Sequence, residues 1–187
     1  MTIFHCRSSS EKDRPEINFS HPVNKQNDWL LIGDILNGDI DTSEYPYVEI
    51  FVEDDDATDW DVYFSGGRLL FSSKFVETVG EKSFYGLLPL PAYLNGAEYW
   101  YLRCEQPLDC IDRERSRYTT FPTNPRKILT LYEAVFKESE IPRDTCFTLP
   151  DRKNYLYMTE SVADRLVAAG IKGMKLIRDV DMSDLKY

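Results

Sequence analysis

One tract of the sequence occurs twice, and this repeat decides which architectures are open to the chain. Residues 69–79 are LLFSSKFVETV and residues 156–166 are LYMTESVADRL, at a constant offset of 87 positions and without a gap. Carried on at the same offset, Gly86 aligns with Gly173. A repeated tract of this kind indicates two copies of one structural unit.

Each copy predicts a strand, a short helix and a second strand that is entered through glycine. An apolar run is followed by Ser72 in the first copy and by Thr159 in the second, and both residue types commonly cap helix N-termini. Neither has a histidine or lysine base at a matching place, so we predict capping for both and not a nucleophile's role. Apolar residues four positions apart then place one stripe of each helix against a sheet: Phe75 with Val79, and Val162 with Leu166.

Most of the remaining chain has the composition of β-strands. Alternating apolar residues at 48–52 and dense aromatics at 97–105 indicate two strands, and residues 61–64 and 143–149 also favour an extended backbone. Residues 127–137 are compatible with either a helix or a strand. The sequence therefore predicts an α+β fold in a single compact domain. We expect a mostly antiparallel sheet and two short helices from the duplicated strand-helix-strand units.

The chain shows no linker that would divide it into independent domains. With 187 residues and 42% hydrophobic content, it is long enough to bury a core. We predict a polar N-terminal segment at residues 1–28, a single domain at residues 29–177 with its duplicated units at about 69–90 and 156–177, and a polar tail at residues 178–187. Both terminal segments are expected to be loosely held because they are polar.

The negative charge is concentrated in one part of the chain. The formal net charge is -10, yet residues 26–67 contain no Lys or Arg. A concentrated negative field attracts a basic partner and repels phosphate backbones, so we predict a protein partner and no nucleic acid. The acids of this stretch are Asp28, Asp34, Asp39, Asp41, Glu44, Glu49, Glu53, Asp54, Asp55, Asp56, Asp59 and Asp61.

The densest part of this stretch, residues 53–61, suggests two kinds of site. The segment does not match the pattern of a calcium-binding loop. Asp59 stands where that pattern requires glycine, and Ser65 stands where a bidentate glutamate should close the loop. Trp60 either anchors an interface or packs inward beside Val62 and Phe64. We predict that the partner-binding residues are Glu53, Asp54, Asp55, Asp56, Asp59, Trp60 and Asp61, together with Asp109, Asp112 and Glu114.

The last three of these residues belong to a second charged cluster, residues 108–116. Asp109 and Asp112 could share a proton or hold a metal ion, and with Glu114 they would form an acid-base or metal cluster of an enzyme. No third ligand or base is spaced to help them, and two neighbouring arginines would tend to neutralise the acids. We therefore favour a network that orders the loop, with Cys110 packed inward.

Cysteine and histidine usage predicts neither disulfides nor a metal or cofactor site. The four cysteines form no C-x-x-C pair, and the first residues lack the apolar stretch of a signal peptide, so we expect reduced thiols and a cytoplasmic location. The two histidines, His5 and His21, match no zinc-ligand spacing. No run approaches the ~20 apolar residues that cross a bilayer, so no membrane association is expected.

Taken together, these motifs resemble the immunity proteins of bacterial polymorphic-toxin systems, a family first catalogued as a domain of unknown function. The similarity extends over about residues 47–177. Thr159 replaces the second serine of the family pattern, and threonine also caps helices. Besides the duplicated tracts, the resemblance is carried by LLPL at residues 87–90, YWY at 99–101, DCIDRERS at 109–116 and GIKGMKL at 170–176.

The resemblance implies a cytoplasmic antidote that binds and neutralises a cognate toxin, with no catalytic residues and no cofactor. We expect the acidic surface to capture a basic toxin, with aromatic anchors supplying affinity and charge setting the association rate. Two alternatives remain open at this point: an enzyme built on Asp109, Asp112 and Glu114, and an acidic adaptor unrelated to toxins. A homodimer is also possible.

Overall fold

A computed structural model of the protein describes residues 1–8, 17–20, 29–37, 48–52, 60–65, 68–94 and 96–178. The strands within these residues are β1 (Ile3–Ser8), β2 (Ile17–Ser20), β3 (Val48–Val52), β4 (Val62–Ser65), β5 (Arg68–Ser72), β6 (Leu87–Leu94), β7 (Ala97–Cys104), β8 (Arg117–Phe121), β9 (Asn124–Glu133), β10 (Cys146–Leu149), β11 (Arg152–Thr159) and β12 (Met174–Arg178). The α-helices are α1 (Trp29–Leu36), α2 (Ser73–Val79) and α3 (Glu160–Ala168).

The strands form three sheets. Six strands lie in the order β2-β3-β6-β7-β5-β4, four in the order β10-β11-β1-β12, and β8 pairs with β9 as a separate hairpin. Within these sheets every neighbouring pair is antiparallel except β3 with β6, which is parallel. The predicted α+β fold with mostly antiparallel sheets is confirmed.

Both copies of the repeated tract fold as strand, helix and strand. The first copy is β5-α2-β6 and the second is β11-α3-β12. Gly86 and Gly173 enter the second strand of each unit with positive φ angles of 58° and 77°. A Cβ atom at Gly86 would overlap the carbonyl oxygen of Gln106, and one at Gly173 would lie 2.6 Å from the carbonyl oxygen of Val62. Glycine is therefore required at both positions.

The similarity of the two units extends to the strands that flank them. In each unit the residue before the required glycine bonds to the partner strand of the other unit. The Tyr85 N–H donates to the Cys146 carbonyl on β10 at 2.9 Å, and the Val62 N–H on β4 donates to the Lys172 carbonyl at 3.2 Å. Tyr85 and Lys172 are equivalent at the offset of 87. Each unit thus contacts the other through the same position, although Tyr85 donates and Lys172 accepts.

Helices α2 and α3 stabilise each other's C-terminal ends. Lys74 of α2 donates from Nζ to the carbonyl of Gly170, just after α3, at 3.2 Å. Arg165 of α3 donates to the carbonyls of Thr78 and Val79, the last residues of α2, at 3.3 and 2.9 Å. A cation near the C-terminal carbonyls of a helix is favourable because it opposes the negative end of the helix dipole. The duplicated units are therefore held together by reciprocal polar contacts.

The capping prediction is confirmed for one unit and wrong for the other. The Ser72 Oγ accepts a hydrogen bond from the Phe75 N–H at 3.2 Å, as a helix N-cap does. Thr159 occupies the N-cap position of α3, but its side chain makes no capping bond. Its Oγ1 instead accepts from the buried N–H of Thr145 at 3.1 Å. The buried N–H of Thr145 needs a hydrogen-bond acceptor inside the fold. The Thr159 hydroxyl is that acceptor and therefore does not cap α3.

The expectation of a loosely held N-terminus is wrong for β1. This strand lies between β11 and β12 inside its sheet, and Ile3, His5 and Cys6 are each 1% exposed. The polar appearance of this segment comes partly from His5, whose ring stacks on Tyr157 at 5.2 Å between centroids. At the other end of the chain, β12 continues the sheet through Arg178. The parts of the predicted terminal segments at residues 9–16, 21–28 and 179–187 lie outside the described residues.

Two other segments add elements that the sequence did not define. Helix α1 was not predicted; it adds a third helix, and its fully buried Ile35 and Leu36 pack on the six-stranded sheet beside Leu94 and Tyr101. The ambiguous tract at residues 127–137 begins as β9, which is a strand and not a helix. Another group of buried apolar residues includes residues of α2 and α3 and residues of strands from both larger sheets. Its members on β1, β5 and β11 include Cys6, Phe71 and Met158.

Candidate partner-binding surfaces

The six-stranded sheet has an end at which β6 finishes and β7 begins, with Leu94 opposite Ala97, and we call it the Ala97 end. Strand β3 runs parallel to β6 with Ile50 opposite Leu94, so β3 also finishes at this end, at Val52. Residues 53–59, called here the acidic segment, therefore leave the described fold at the Ala97 end.

The chain returns to the described fold at the same end. Strand β4 begins at Val62, opposite Phe71 of β5, and the last residue of β5, Ser72, lies opposite Tyr99 near the start of β7. Trp60 is the first described residue after the acidic segment, and its carbonyl accepts a hydrogen bond from the Tyr99 hydroxyl at 3.0 Å. Five predicted partner-binding residues within the segment lie outside the described residues: Glu53, Asp54, Asp55, Asp56 and Asp59.

Trp60 packs inward, which is one of the two roles predicted for it. Its N–H donates to the Tyr63 hydroxyl at 3.1 Å, and its ring stacks on the Tyr63 ring with 6.1 Å between centroids. The ring also covers Gly173, where a Cβ atom would lie 2.8 Å from the indole Cε3. Trp60 is half-buried and firmly held. It fixes the point at which the acidic segment rejoins the sheet.

Asp61 is occupied by contacts within the fold. One carboxylate oxygen accepts from the Ser72 hydroxyl at 2.7 Å, and the other accepts from the Lys172 N–H at 2.8 Å. Lys74 lies 3.8 Å from the second oxygen, and the Asp61 side chain is 13% exposed. These contacts join β4 to the end of β5 and to the turn before β12. Asp61 therefore has a structural role, and the partner-binding surface that we propose does not include it.

The loop that carries Asp109, Asp112 and Glu114 is ordered by its own contacts. The Oδ1 of Asp112 accepts from the N–H groups of Glu114 and Arg115, each at 3.2 Å. Cys110 is fully buried, and its carbonyl accepts from the Lys137 N–H at 2.8 Å. Asp109 and Glu114 are exposed. The geometry is that of a charged network that holds a loop.

The described members of the first predicted partner-binding group, Trp60 and Asp61, lie at the Ala97 end of β7. The loop after Cys104, which carries Asp109, Asp112 and Glu114, leaves from the opposite end of the same strand. Seven residue steps along β7 correspond to ~23 Å. Asp109, Asp112 and Glu114 therefore lie apart from Trp60 and Asp61.

The clefts of the described residues are small. One, between the larger sheets and lined by residues such as Phe71, Tyr101 and Leu156, holds about 20 Å³. Another, beside Asp109 and Arg152, holds about 10 Å³. Each of these two clefts accommodates about one water molecule. Within the described ranges, no group of three His, Cys, Asp or Glu side chains is placed to hold a metal ion.

Burial holds the His5 ring and the thiols of Cys6 and Cys110 in their neutral forms. Burial, with the nearby charges of Arg7 and Arg152, lowers the pKa of His5 to about 3, so its ring is uncharged at neutral pH. All four cysteines are free and buried, and burial raises the pKa values of the Cys6 and Cys110 thiols to about 12. The second histidine of the chain, His21, lies outside the described residues.

A basic surface was missed by the sequence analysis. Residues 115–132, called here the basic hairpin, include β8 and most of β9 and contain four cations and no acid. All four cations are exposed: Arg115, Arg117, Arg126 and Lys127. The signal was present in the sequence as an acid-free tract in a chain of net charge -10, the complement of the cation-free stretch at residues 26–67.

Comparison of the sequence with models of protein families gives no match. A search of curated proteins also gives none. Among the helices that the structure describes, none has the length and apolar character needed to cross a membrane.

Proposed function

We propose that this protein is a cytoplasmic immunity protein that binds and neutralises a cognate, basic bacterial toxin and has no enzymatic activity of its own. The sequence motifs supply the resemblance to that class. One structural observation supports the binding part of the proposal. The acidic segment begins after Val52 and ends before Trp60, and both residues lie at the Ala97 end of the six-stranded sheet.

The residue at which the acidic segment rejoins the described fold, Trp60, is held by several contacts. They are hydrogen bonds with the hydroxyls of Tyr63 and Tyr99 and a ring contact with Tyr63. A surface that is preorganised loses less conformational entropy when a partner docks on it. We therefore propose that the five carboxylates of the acidic segment act as one field at the Ala97 end.

A concentrated field of one sign acts mainly on encounter. It raises the association rate of an oppositely charged protein and discriminates against partners of the same sign. A basic toxin, such as an enzyme whose active site receives an anionic substrate, has the complementary charge. The small size of the clefts agrees with a role in which an extended protein surface, and not a small molecule, is bound.

The proposal is tested by co-expression with the product of the neighbouring gene. We expect that product to be toxic alone, to be neutralised when this protein is present, and to co-purify with it. The acidic adaptor alternative predicts no protection. Toxicity that persists at full expression of both folded proteins, with no complex on purification, would reject the immunity function.

A further inference from the structure

One face of the six-stranded sheet carries a tryptophan outside the core. Trp100 on β7 lies opposite Pro91 of β6 and Phe71 of β5, so these three side chains share one face. On this face Phe71 packs under Phe75 of α2, with 4.3 Å between ring centroids. Trp100 is half-buried and belongs to none of the three buried apolar groups of the described residues. Its indole therefore borders solvent beside α2.

The orientation of this indole is fixed through Ser73, the first residue of α2. The Trp100 Nε1–H donates to the Ser73 Oγ at 2.9 Å, and the same hydroxyl donates to the Glu98 Oε2 at 3.1 Å. Because Glu98 precedes Trp100 by two residues on β7, both side chains lie on the same face of the sheet. The Ser73 hydroxyl therefore holds an indole and a carboxylate next to each other.

A second aromatic side chain continues this face toward the Ala97 end. Tyr93 lies opposite Glu98 in the pairing of β6 with β7 and is 36% exposed. Accessible tyrosine and tryptophan side chains are enriched at protein interfaces, where they often supply most of the affinity. We call Tyr93, Glu98 and Trp100 the aromatic site.

The charges near the aromatic site favour a cationic ligand. Strands β5, β6 and β7 and helix α2 carry five charged residues: Arg68, Lys74, Glu77, Glu98 and Arg103. The two arginines lie at the strand ends opposite to the Ala97 end. Lys74 lies 3.8 Å from the Asp61 carboxylate, whereas Glu77 and Glu98 are exposed and form no ion pair with a described residue. Negative charge therefore remains unbalanced beside the indole.

The Trp100 ring offers its face to such a ligand, because its N–H is already bonded to Ser73. Among the residues that the structure describes, five cations lie over aromatic rings, and none of them lies over Trp100. Tryptophan attracts cations more strongly than the other aromatic side chains. A guanidinium is planar, so it can stack on a ring while it pairs with a carboxylate. A held indole beside a held carboxylate therefore fits an arginine side chain.

We propose that the aromatic site receives an arginine side chain of the basic protein partner, with its guanidinium on the Trp100 ring and paired with the Glu98 carboxylate. This inference rests on the proposed function and adds the contact that supplies affinity. The acidic segment, which attaches at the same end of the sheet, acts on encounter. The arginine contact acts on the lifetime of the complex.

The first test uses N-acetyl-arginine amide as the probe and N-acetyl-citrulline amide as its uncharged counterpart. NMR on the full chain follows the indole N–H signal of Trp100 and the backbone amide of Glu98. We expect the arginine compound to shift both signals to saturation and the citrulline compound to leave them unchanged. Glu98→Gln, which keeps an acceptor for Ser73, should weaken the arginine compound by about three-fold or more. The control Glu133→Gln removes the same charge from an exposed position on β9 and should not.

The second test measures the rates of complex formation with the neighbouring gene product. Trp100→Leu should raise the dissociation rate by about ten-fold or more and leave the association rate nearly unchanged. The control Tyr132→Leu removes an exposed ring from β9 and should change neither rate. Urea unfolding establishes that each variant is folded, and Glu98→Gln repeats the test with the ring in place.

The outcomes of the two tests are distinct. An unshifted Trp100 signal, an equal response to the citrulline compound, or equal effects of Glu98→Gln and Glu133→Gln would each overturn the proposal. A stable complex that neither Trp100→Leu nor Glu98→Gln weakens would reject the arginine site and keep the immunity function. Binding of the arginine compound at Trp100, with no complex formed by the neighbouring gene product, would reject the immunity function and keep the arginine site.

Discussion

The neutral, buried His5 makes the stability of this fold depend on pH in a defined window. Its pKa falls from 6.5 to about 3, first because burial penalises the charged ring and then because Arg7 and Arg152 lie nearby. In the unfolded chain the same ring takes up a proton near pH 6.5. Between pH 6.5 and 3 the unfolded state therefore binds a proton that the folded state excludes, and stability is lost as the pH falls.

The size of the stability loss follows from the pKa shift of His5. Each pKa unit corresponds to about 1.4 kcal/mol, so His5 alone should lower the free energy of unfolding by ~1.4 kcal/mol between pH 7.5 and 5.5, and by ~2 kcal/mol at pH 5. The interval from pH 7.5 to 5.5 covers the ordinary titration range of a histidine, and comparison with a variant that lacks His5 separates its contribution from that of His21.

Urea unfolding followed by tryptophan fluorescence measures the effect, with His5→Phe as the matched variant. Phenylalanine keeps a ring against Tyr155 and Tyr157, where the histidine centroid lies 5.0 and 5.2 Å away, but it cannot take up a proton. The wild-type protein should lose ~1.4 kcal/mol more than the variant over this interval. Parallel pH profiles for the two proteins would refute the assignment of a neutral, desolvated ring.

Three further predictions concern the folded core and use urea unfolding or thiol labelling. Gly173→Ala should cost about 2–4 kcal/mol, because its φ of 77° is unfavourable for alanine and the Cβ meets the Val62 carbonyl. Gly170→Ala, at φ 64° with open space around it, should cost only about 1 kcal/mol, and equal losses would contradict the crowding at Gly173. Ser72→Ala should cost about 2–4 kcal/mol, because it removes both the N-cap and the hydrogen bond to the Asp61 carboxylate. Thr159→Val should cost about 1–3 kcal/mol because it leaves the buried Thr145 N–H unsatisfied; a neutral Thr159→Val would contradict that bond. The four buried cysteines should react with a thiol reagent at pH 8 only as fast as the protein unfolds, and rapid labelling of the native protein would show that the thiols are accessible.

Local sequence patterns predicted the two duplicated units well. The apolar run ending at Ser72, the helix with Phe75 and Val79, and the glycine before the next strand all lie where the pattern placed them. This succeeded because a capping residue, a four-residue apolar spacing and a glycine at positive φ are determined by neighbours in the chain. The hydroxyl of Thr159 could not be predicted in the same way, since its partner, Thr145, belongs to another strand.

The missed features depend on contacts between distant parts of the chain. Strand β1 looks polar because His5 and Arg7 stand in it, yet the sheet places the His5 ring against Tyr155 and Tyr157. The parallel pairing of β3 with β6 is a choice of topology that no local pattern records. The sequence pattern predicted that Asp61 is a surface charge. Its hydrogen-bond partners, Ser72 and Lys172, come from two other segments, so its structural role could not be predicted locally.

The most direct test of the account measures the association rate with the neighbouring gene product as a function of ionic strength. The triple variant D54N, D55N, D56N removes three carboxylates from the acidic segment. Its matched control, D109N, D112N, E114Q, removes three at the other end of β7 and keeps the Oδ1 acceptor of Asp112. We predict that the first variant associates about ten-fold more slowly at low salt, with a flatter salt dependence, and that the control behaves like the wild type. An unchanged rate in the first variant, or an equal loss in both, would contradict the claim that the acidic segment captures the partner.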